Sequence, residues 1–350
     1  MKILVLISSL EGGGAERIAC RVASALSANH EVCIMPFSKA TVPYPLSPRV
    51  RIRNAGLFDL RKGGMFSGLK YLISIVFGYL YLSCFRLAAR PDVTLSFLNK
   101  PNLLNAFAPG GGRKVMSERN NPRKKGKKSF RAASLAYRHA DKVIFQSGTV
   151  RDMFPDEIRN KGVVVPNPVE VTCRATPGDT RVVTSGRLKG QKNHAALIRA
   201  FAAFLDRHPG HTLHIYGKGP LESGLRSLVS ELSLDGKVFF EGFVENIHDA
   251  IRDAEMFVLS SDYEGMPNAL LEAMMMGLPC VTTSFEGAGE LFGDSGACLT
   301  VPVGDESALA GAMARLDEDP RLRESLSATA EEFASRFSVD KVIPMWEKEL

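Results

Sequence analysis

The chain has 350 residues, of which 45% are hydrophobic and 23% are charged. This length predicts two domains, because a domain usually holds about 100–200 residues. The composition is that of a folded protein and excludes a disordered chain, a collagen-like fibre and a protein with several membrane spans. The net charge of +6 conceals two opposite halves: residues 1–170 hold 27 Lys and Arg against 11 Asp and Glu, and residues 171–350 hold 17 against 27.

The cysteines and histidines give no sign of a metal or disulfide framework. Six cysteines are scattered without a CxxC pair, and the seven histidines add no zinc-binding spacing. We therefore expect free thiols and a reducing cytosol. The apolar run at residues 3–7 passes into a glycine-rich turn without a cleavage-like site, which predicts a buried strand rather than a signal peptide.

Strand-like apolar runs alternate with helix-like stretches, a pattern that predicts α/β domains with parallel sheets. In the first half we predict a helix over 15–29 and strands over 3–7, 31–37, 93–97, 114–117 and 142–146. In the second half we predict strands over 181–185, 212–216, 237–241, 256–259 and 280–283. The predicted helices there are 193–208, 220–233, 246–253, 268–276 and 305–317, and residues 322–350 are mostly helical.

Prolines and glycines between residues 161 and 180 interrupt this alternation where the charge changes sign. We place the domain boundary at 168. The predicted domains are 1–168 and 169–332, followed by a helical tail over 333–350 that packs back toward the first domain.

Two stretches of the first half are candidates for contact with a membrane. Residues 71–85 carry no charge and are too short for the ~20 residues of a membrane span. They predict either a buried helix or a helix on the membrane surface, where the basic flanks Lys70, Arg86 and Arg90 favour anionic lipid. Residues 113–131 hold nine Lys and Arg, which indicates either a solvated loop or a surface for lipid headgroups or a pyrophosphate. Nucleic acid is disfavoured because no aromatic residues interleave.

Glycine-rich turns follow several predicted strands. Gly12, Gly13 and Gly14 lie between the first strand and a helix that begins with Glu16 and Arg17. This is the binding edge of a doubly wound sheet. The pattern is not GxGxxG, so a nicotinamide cofactor is disfavoured, and a simple tight turn remains the alternative.

The second half has the stronger signals. Gly186, Arg187 and Lys192 follow its first strand. A guanidinium binds two phosphate oxygens at once and a nearby ammonium adds a second positive charge, so this pair suits a diphosphate. A solvated basic loop is the alternative. Further on, Glu264 lies in a loop and Glu272 in the following helix, whose N-terminal N–H groups from Met266 to Ala269 suit an anionic or hydroxyl-rich ligand.

These residues resemble the retaining glycosyltransferases of family 4. The Glu-x7-Glu pair matches Glu264 and Glu272, the Gly-Arg…Lys loop matches Arg187 and Lys192, and the first glycine loop matches 12–14. The resemblance implies the α/β GT-B fold, with two Rossmann-like doubly wound domains that face each other across a cleft.

The resemblance also implies residue roles. A nucleotide-sugar donor binds the second domain, where Arg187 and Lys192 neutralise the leaving diphosphate, Glu264 contacts the transferred sugar and Glu272 holds the ribose. Front-face attack then retains the anomeric configuration, and we expect no cofactor and no essential metal. The implied donor-binding residues are Gly13, Gly14, Gly186, Gly217, Val244, Met266, Asn268, Ala269, Leu270 and Glu272.

The acceptor is implied to bind the first domain. Asn99 stands near a position where related enzymes often carry a histidine, which is missing here. Glu118 and Arg119 either face the acceptor or form a structural salt bridge. Asp317, Glu318 and Asp319 are interpreted as a solvated acidic surface rather than a metal site. The implied acceptor-side residues are Glu16, Arg17, Asn99, Glu118 and Arg119.

The favoured function is therefore transfer of an N-acetylhexosamine or hexose from a UDP-sugar to a polyprenyl-diphosphate-linked glycan or other surface-glycan precursor. The enzyme would be cytoplasmic and peripheral on the inner face of the plasma membrane, without a nucleic-acid partner and in an undetermined oligomeric state. A glycosyltransferase with a soluble acceptor and a non-enzymatic basic membrane- or nucleic-acid-binding protein are the alternatives. The expected membrane-facing residues are Lys70, Arg86, Lys124, Lys125, Lys127 and Lys128.

Overall fold

The chain folds into two compact units. The computed structural model describes residues 1–10, 14–38, 46–55, 67–119 and 126–350, except for the side chains of 67–72. The first unit consists of Met1–Pro168 together with Val339–Leu350, and the second of Val169–Ser338.

The first unit alternates strands and helices throughout its described part. Its strands are β1 (Lys2–Ile7), β2 (Glu31–Pro36), β3 (Arg51–Ile52), β4 (Val93–Phe97), β5 (Arg113–Glu118), β6 (Lys142–Phe145) and β7 (Gly162–Val164). Its helices up to the end of β7 are α1 (Gly14–Leu26), α2 (Ser67–Ala89), α3 (Asn99–Phe107), α4 (Lys127–Arg138), α5 (Gly148–Arg151) and α6 (Asp156–Arg159).

The second unit repeats this alternation. Its strands are β8 (Arg181–Ser185), β9 (Thr212–Tyr216), β10 (Val238–Gly242), β11 (Met256–Leu259), β12 (Cys280–Thr283) and β13 (Leu299–Val301). Its helices are α7 (His194–Leu205), α8 (Glu222–Glu231), α9 (Ile247–Ile251), α10 (Asn268–Met275), α11 (Ala288–Phe292), α12 (Glu306–Glu318) and α13 (Pro320–Ala334). Two 3-10 helices (Gly190–Lys192 and Ser335–Phe337) accompany them, and α14 (Val339–Glu349) returns to the first unit.

Each unit is built around one parallel sheet. The strand orders are β3-β2-β1-β4-β5-β6-β7 and β10-β9-β8-β11-β12-β13 in the described residues. The predicted α/β class and doubly wound sheets are confirmed, and every predicted strand is present to within about two residues at either end. The short strands β3, β7 and β13 were not predicted. β7 lies in the segment that we predicted to interrupt regular structure. That prediction followed from Pro166 and Pro168, which come closely after the strand.

The burial of the central strands on both faces explains their sequences. β1 pairs with β2 on one side and β4 on the other, and Ile3–Ile7 are essentially inaccessible to solvent. A strand covered on both faces needs apolar side chains at every position, so its sequence is a continuous apolar run rather than an alternation. The six cysteines are free, as expected.

Helix α14 completes the core of the first unit. Trp346 is fully buried, its ring stacks on Phe97 with centroids 5.7 Å apart, and its Nε1–H donates to the Pro166 carbonyl at 3.4 Å. The tail predicted as 333–350 is therefore divided, because residues up to Ser338 pack within the second unit and only 339–350 within the first.

Helix α2 buries several polar side chains together with Leu82, and it exposes several of its other large apolar side chains. From Ile73 onward, Ser74, Ser83 and Arg86 are buried. The opposite face exposes a stripe at helical spacing, formed by Ile73, Val76, Phe77, Leu80 and Leu87. Among the helices of the described residues, none is both long and apolar enough to cross a bilayer.

The prediction that Arg86 faces a membrane is wrong. Its guanidinium is fully buried, where its NH1 and NH2 groups donate to backbone carbonyls and to the Asn105 amide oxygen at 3.1–3.5 Å. The carbonyls belong to Asn105, Ala108, Gly110 and Gly111. Arg86 therefore fastens α2 to the turn that leads from α3 into β5.

Arg86→Met keeps most of the apolar stem but leaves these buried carbonyls without their donor. We expect the free energy of unfolding to fall by about 3 kcal/mol, since each stranded buried acceptor is costly. Urea unfolding followed by circular dichroism measures this loss. Arg138→Met on the exposed end of α4 is the matched control and should change stability by less than about 0.5 kcal/mol. Equal stability of the two variants would contradict the structural role of Arg86.

Candidate functional site

The predicted second-half motifs meet at the carboxyl edge of the second sheet. β8 lies between β9 and β11, so the loops that follow these three strands are neighbours. The loop after β8 contains Arg187 and Lys192, the loop after β9 contains Gly217, and the loop after β11 contains Glu264. The strand order thus gathers residues that are far apart in sequence.

The loops after β8 and β11 are bonded directly to each other. The Ser260 hydroxyl donates to the carbonyls of Lys192 and Asn193 at 2.9 and 3.1 Å. The Asp262 N–H donates to the Gln191 carbonyl at 2.9 Å, and the Asn193 amide donates to the Asp262 carboxylate at 2.7 Å. Asp262 therefore fixes the two loops to each other.

Lys192 and Glu264 form an ion pair within this junction. Lys192 Nζ lies 2.7 Å from Glu264 Oε1, and the side chains are only 17% and 6% exposed. Ser261 donates to the same carboxylate oxygen at 2.6 Å, and Gln191 Nε2 donates to the other at 3.3 Å. The prediction named Lys192 and Glu264 separately, but their contact and the roles of Ser261 and Gln191 were missed.

The glycines of these loops allow the backbones to touch. The Gly217 N–H donates to the Gly242 carbonyl at 2.7 Å, and the φ of Gly217 is +139°. A Cβ on Gly217 would lie 1.9 Å from the Gly186 carbonyl oxygen, a distance no side chain tolerates. Gly217 is thus required by the contact between two loops, whatever ligand they bind.

Helix α10 begins at Asn268, with Pro267 as its N-cap residue. The Asn268 N–H donates to the Met266 carbonyl at 3.0 Å, so this amide, which was expected to suit a ligand, already has an acceptor within the chain. Met266 and Leu270 are buried, whereas Asn268 and Ala269 are half-buried.

Glu272 is buried in α10 beside a histidine that the sequence analysis did not select. His248 Nε2 lies 3.6 Å from Glu272 Oε2. The Thr172 N–H can only donate, and it points at His248 Nδ1 at 3.2 Å, so the neutral ring carries its proton on Nε2, toward Glu272. No spacing signal links His248 to Glu272, because they lie on different elements, α9 and α10.

The other predicted donor-side residues lie around this junction in the second unit. Arg187 is exposed after β8, and Gly186 and Val244 are half-buried at the ends of β8 and β10. Beside Val244, Phe243 exposes 55% of its surface. An exposed cation, an ion pair and an apolar rim therefore lie along one sheet edge.

The first unit also places predicted residues at the carboxyl edge of its sheet. The Ser9 hydroxyl donates to the buried carboxylate of Glu16 in the first turn of α1, which begins at Gly14 and includes the half-buried Arg17. Asn99 follows β4 and donates to the Ser129 hydroxyl at 2.6 Å. Gly12 and Gly13 lie outside the described residues.

Of the two roles predicted for Glu118 and Arg119, contact with an acceptor is wrong because both residues are buried, and the structural alternative remains. Glu118 accepts from the Tyr137 hydroxyl at 2.9 Å. Arg119 donates to the Val165 carbonyl at 3.1 Å and to Asn167 Oδ1 at 3.0 Å, and its guanidinium lies over the Trp346 ring. Burial lowers the pKa of Arg119 to about 9. Arg119 thus connects β5, the chain after β7 and α14.

Among the expected membrane-facing residues, Lys127 and Lys128 are exposed at the start of α4, as is the neighbouring Arg131. Lys124 and Lys125 lie outside the described residues, and so does the side chain of Lys70.

Comparison with known proteins agrees with this arrangement. Residues 174–333, which lie in the second unit, match the family model described as glycosyl transferases group 1. The chain superposes on HepE from Anabaena, solved with UDP and glucose, with a TM-score of 0.81 at 20% identity, covering 99% of this chain and 98% of that one. The architecture is therefore that of GT-B glycosyltransferases, and together with the matched domain it supports a glycosyltransferase.

Two relatives from Campylobacter jejuni align along nearly the whole length. One is the N-acetylgalactosamine-N,N'-diacetylbacillosaminyl-diphospho-undecaprenol 4-alpha-N-acetylgalactosaminyltransferase, 29% identical over 97% of each chain. The other is the GalNAc-alpha-(1->4)-GalNAc-alpha-(1->3)-diNAcBac-PP-undecaprenol alpha-1,4-N-acetyl-D-galactosaminyltransferase, 27% identical over 99% of this chain and 98% of its own. Both names describe transfer of a sugar to a lipid-linked glycan.

His194 makes this edge of the second unit sensitive to acid. Its ring is buried in the first turn of α7, and burial, reinforced by the nearby charge of Lys192, lowers its pKa to about 4. The unfolded ring takes up a proton near its ordinary pKa of about 6.5, so stability is complete above that pH and falls as the pH drops toward 4.

We therefore expect His194→Gln to flatten the loss of stability between about pH 6.5 and 4, a contribution on the order of 3 kcal/mol. Urea unfolding at a series of pH values measures it. His139→Gln, at an exposed site after α4, is the control and should keep the slope of the unsubstituted protein. An unchanged slope in His194→Gln would show that other groups cause the acid sensitivity.

Proposed function

We propose that this protein is a retaining, metal-independent glycosyltransferase. It moves an N-acetylhexosamine or hexose from a UDP-sugar to a polyprenyl-diphosphate-linked glycan. The main support is the Lys192–Glu264 pair at the carboxyl edge of the second sheet, beside Arg187 and inside the matched glycosyltransferase domain. The names of the two full-length relatives support the lipid-linked acceptor.

In the proposed reaction an acceptor hydroxyl oxygen bonds to the anomeric carbon on the face from which UDP departs. The bond from that carbon to the β-phosphate oxygen breaks, and the acceptor proton passes to the departing phosphate. Negative charge grows on the diphosphate as the bond breaks, so Arg187 and Lys192 stabilise the transition state more than the bound donor. These two cations supply the charge that a metal ion supplies in other transferases.

The ion pair gives this step a defined starting state. Without donor, Lys192 is neutralised by Glu264, so neither charge is left unpaired in a site of low exposure. A diphosphate competes for the ammonium group with more negative charge than one carboxylate has. Glu264 then accepts from the hydroxyls of the transferred sugar, while Ser261 and Gln191 keep its carboxylate in place.

Glu272 is proposed to hold the ribose. Two carboxylate oxygens suit the adjacent 2′ and 3′ hydroxyls of a ribose, which both donate. His248 Nε2 lies 3.6 Å from Glu272 Oε2, so the imidazole ring packs beside this carboxylate.

We further propose that the first unit meets the cytoplasmic face of the membrane through α2 and the start of α4. The exposed stripe of α2 offers five large apolar side chains, and Lys127, Lys128 and Arg131 offer charge for anionic headgroups. Apolar insertion together with basic attraction is the usual combination for a helix that lies on a bilayer. A lipid-linked acceptor would require this location.

Arg187→Ala should lower kcat/KM by about three orders of magnitude, because the charge it neutralises is greatest in the transition state. A nucleotide-release assay with UDP-, GDP- and ADP-sugars and a polyprenyl-diphosphate-linked acceptor measures this change. Arg199→Ala on the exposed face of α7 is the matched control and should retain activity. Full activity of Arg187→Ala would refute the assigned role.

The same assay separates the finer points of the proposal. Turnover in EDTA supports metal independence, and an α-linked product from an α-linked donor, read by NMR, supports retention. Efficient transfer to free sugars but not to the lipid-linked glycan would replace the proposed acceptor with a soluble one. Lipid binding without turnover of any nucleotide sugar would favour a non-enzymatic membrane-binding protein.

Replacing Val76, Leu80 and Leu87 by Ser should reduce binding to vesicles that contain anionic phospholipid at least about tenfold, since each exposed apolar side chain contributes about 1.5–3 kcal/mol when buried. Co-sedimentation measures the binding. Neutralising Lys127 and Lys128 should weaken it in a salt-dependent way. The triple variant Leu221, Leu232 and Val303 to Ser, at exposed positions of the second unit, is the control. Equal losses in both triple variants would contradict a specific membrane face.

A further inference from the structure

A second cluster of ionisable groups lies at the amino edge of the second sheet, the edge opposite to the loops just described. His211 directly precedes β9, Glu255 directly precedes β11, and Asp317 is in the last turn of α12. One nitrogen or oxygen atom from each of the three side chains lies within 4.8 Å of the others. The expectation of a solvated acidic surface is therefore wrong for Asp317, which is half-buried beside His208 and His211, whereas Glu318 and Asp319 are exposed as expected.

The histidine is at the centre of this cluster. His211 Nε2 lies 2.7 Å from Glu255 Oε2 and 3.2 Å from Asp317 Oδ1. The side chains of His211 and Glu255 are only 7% and 10% exposed, so water cannot freely screen the charges. Two carboxylate oxygens thus converge on one ring nitrogen in a poorly hydrated place.

The other ring nitrogen decides which atom carries the proton. His211 Nδ1 lies 3.1 Å from the His208 carbonyl oxygen, which can only accept, so Nδ1 must donate. In the neutral ring Nε2 then has a lone pair and no proton, and it faces two further acceptors, Glu255 Oε2 and Asp317 Oδ1. Three electron-rich atoms at these distances favour a shared cation, and Arg323 NH1, the nearest guanidinium nitrogen, lies 3.9 Å from Asp317 Oδ1.

The remaining carboxylate oxygens already have partners. Arg323 NH1 lies 2.6 Å from Glu255 Oε1 and also donates to the carbonyls of Leu316 and Asp317. His208 Nδ1 lies 2.5 Å from Asp317 Oδ2. These contacts hold the outer oxygens and turn the inner ones toward His211, as supporting groups do around metal ligands.

We propose that His211 Nε2, Glu255 Oε2 and Asp317 Oδ1 bind a zinc ion, with water as the fourth ligand. One imidazole and two carboxylates form a ligand set that zinc accepts at about 2.0–2.2 Å, which places ligand atoms about 3.3 Å apart. The His211 distances of 2.7 and 3.2 Å need only small side-chain movements to reach that spacing. The ring bonds to a backbone carbonyl through its other nitrogen, as zinc-bound histidines usually do.

A proton on His211 is the competing cation. Burial alone would lower the pKa of His211, but the hydrogen bonds to Glu255 and the His208 carbonyl, with the charges of Glu255 and Asp317, raise it above its ordinary value. Zinc and the proton therefore compete for one nitrogen.

The zinc site would be structural. It joins the starts of β9 and β11 to the corner between α12 and α13, and it lies on the sheet edge opposite to Lys192 and Glu264. It is independent of the proposed function, since loss of zinc should lower stability without removing any group assigned to the transfer reaction.

The test uses the full-length purified protein, freed of metal by a chelator and then titrated with zinc chloride near pH 7.5. Equilibrium dialysis gives the stoichiometry, and competition with a chromophoric chelator gives the Kd. We expect one zinc ion per chain and an increase in Tm on binding. His211→Gln should weaken binding at least about 100-fold, and Asp317→Asn, at the more exposed ligand, at least about tenfold.

His214→Gln is the matched control, because His214 forms a comparable contact with Glu241 at 2.7 Å on strands of the same sheet. It should retain the Kd and the zinc-dependent Tm. The proposal is overturned if the unsubstituted protein binds no stoichiometric zinc, or if His214→Gln and His211→Gln lose binding equally. A Tm that depends on pH but not on zinc would show that the cluster holds only a proton. If His211→Gln does not fold, Asp317→Asn decides the outcome.

Discussion

Parallel pairing of every strand is the constraint on which the candidate site depends. In a parallel sheet all carboxyl ends lie at one edge, and the loops that follow them share that edge. The order β10-β9-β8-β11-β12-β13 reverses direction at β8, because β9 follows on one side and β11 lies on the other. Ligands bind at such reversal points in open α/β sheets. The reversal point at β8 lies between the loop with Lys192 and the loop with Glu264.

The junction between these loops is fixed before any substrate arrives. Backbone and side-chain bonds from Ser260 and Asp262 hold the loop after β8, so Lys192 reaches Glu264 without a search through rotamers. Low exposure strengthens this attraction, and Ser261 and Gln191 also donate to the carboxylate. Such prior arrangement is what electrostatic stabilisation of a leaving group requires, because the charges need not be assembled during the reaction.

Local sequence predicted the longer strands and the loops at their ends, because burial on both faces and glycine turns are visible over a few residues, but it missed the short strands β3, β7 and β13. It could not predict which side chains touch. Lys192 and Glu264 are 72 positions apart, and His248 meets Glu272 only through the packing of α9 on α10. The wrong predictions share a cause: Arg86, Arg119 and Asp317 were placed at the surface because charged residues are mostly exposed. Each is buried or partly buried beside carbonyls or histidines that the tertiary fold brings to it.

Burial of Arg86 also reduces how much of the excess positive charge of the first half lies at the surface. With Arg86 and Arg119 inside, this excess is not all surface charge, and at the start of α4 the exposed part includes Lys127, Lys128 and Arg131. A buried guanidinium that donates to several carbonyls fixes the rotation of α2 about its axis. The face opposite to Arg86 must then point outward, and that face contains Ile73 and Phe77. A polar anchor inside the unit thus accounts for the apolar stripe outside it, which composition alone would have placed in the core.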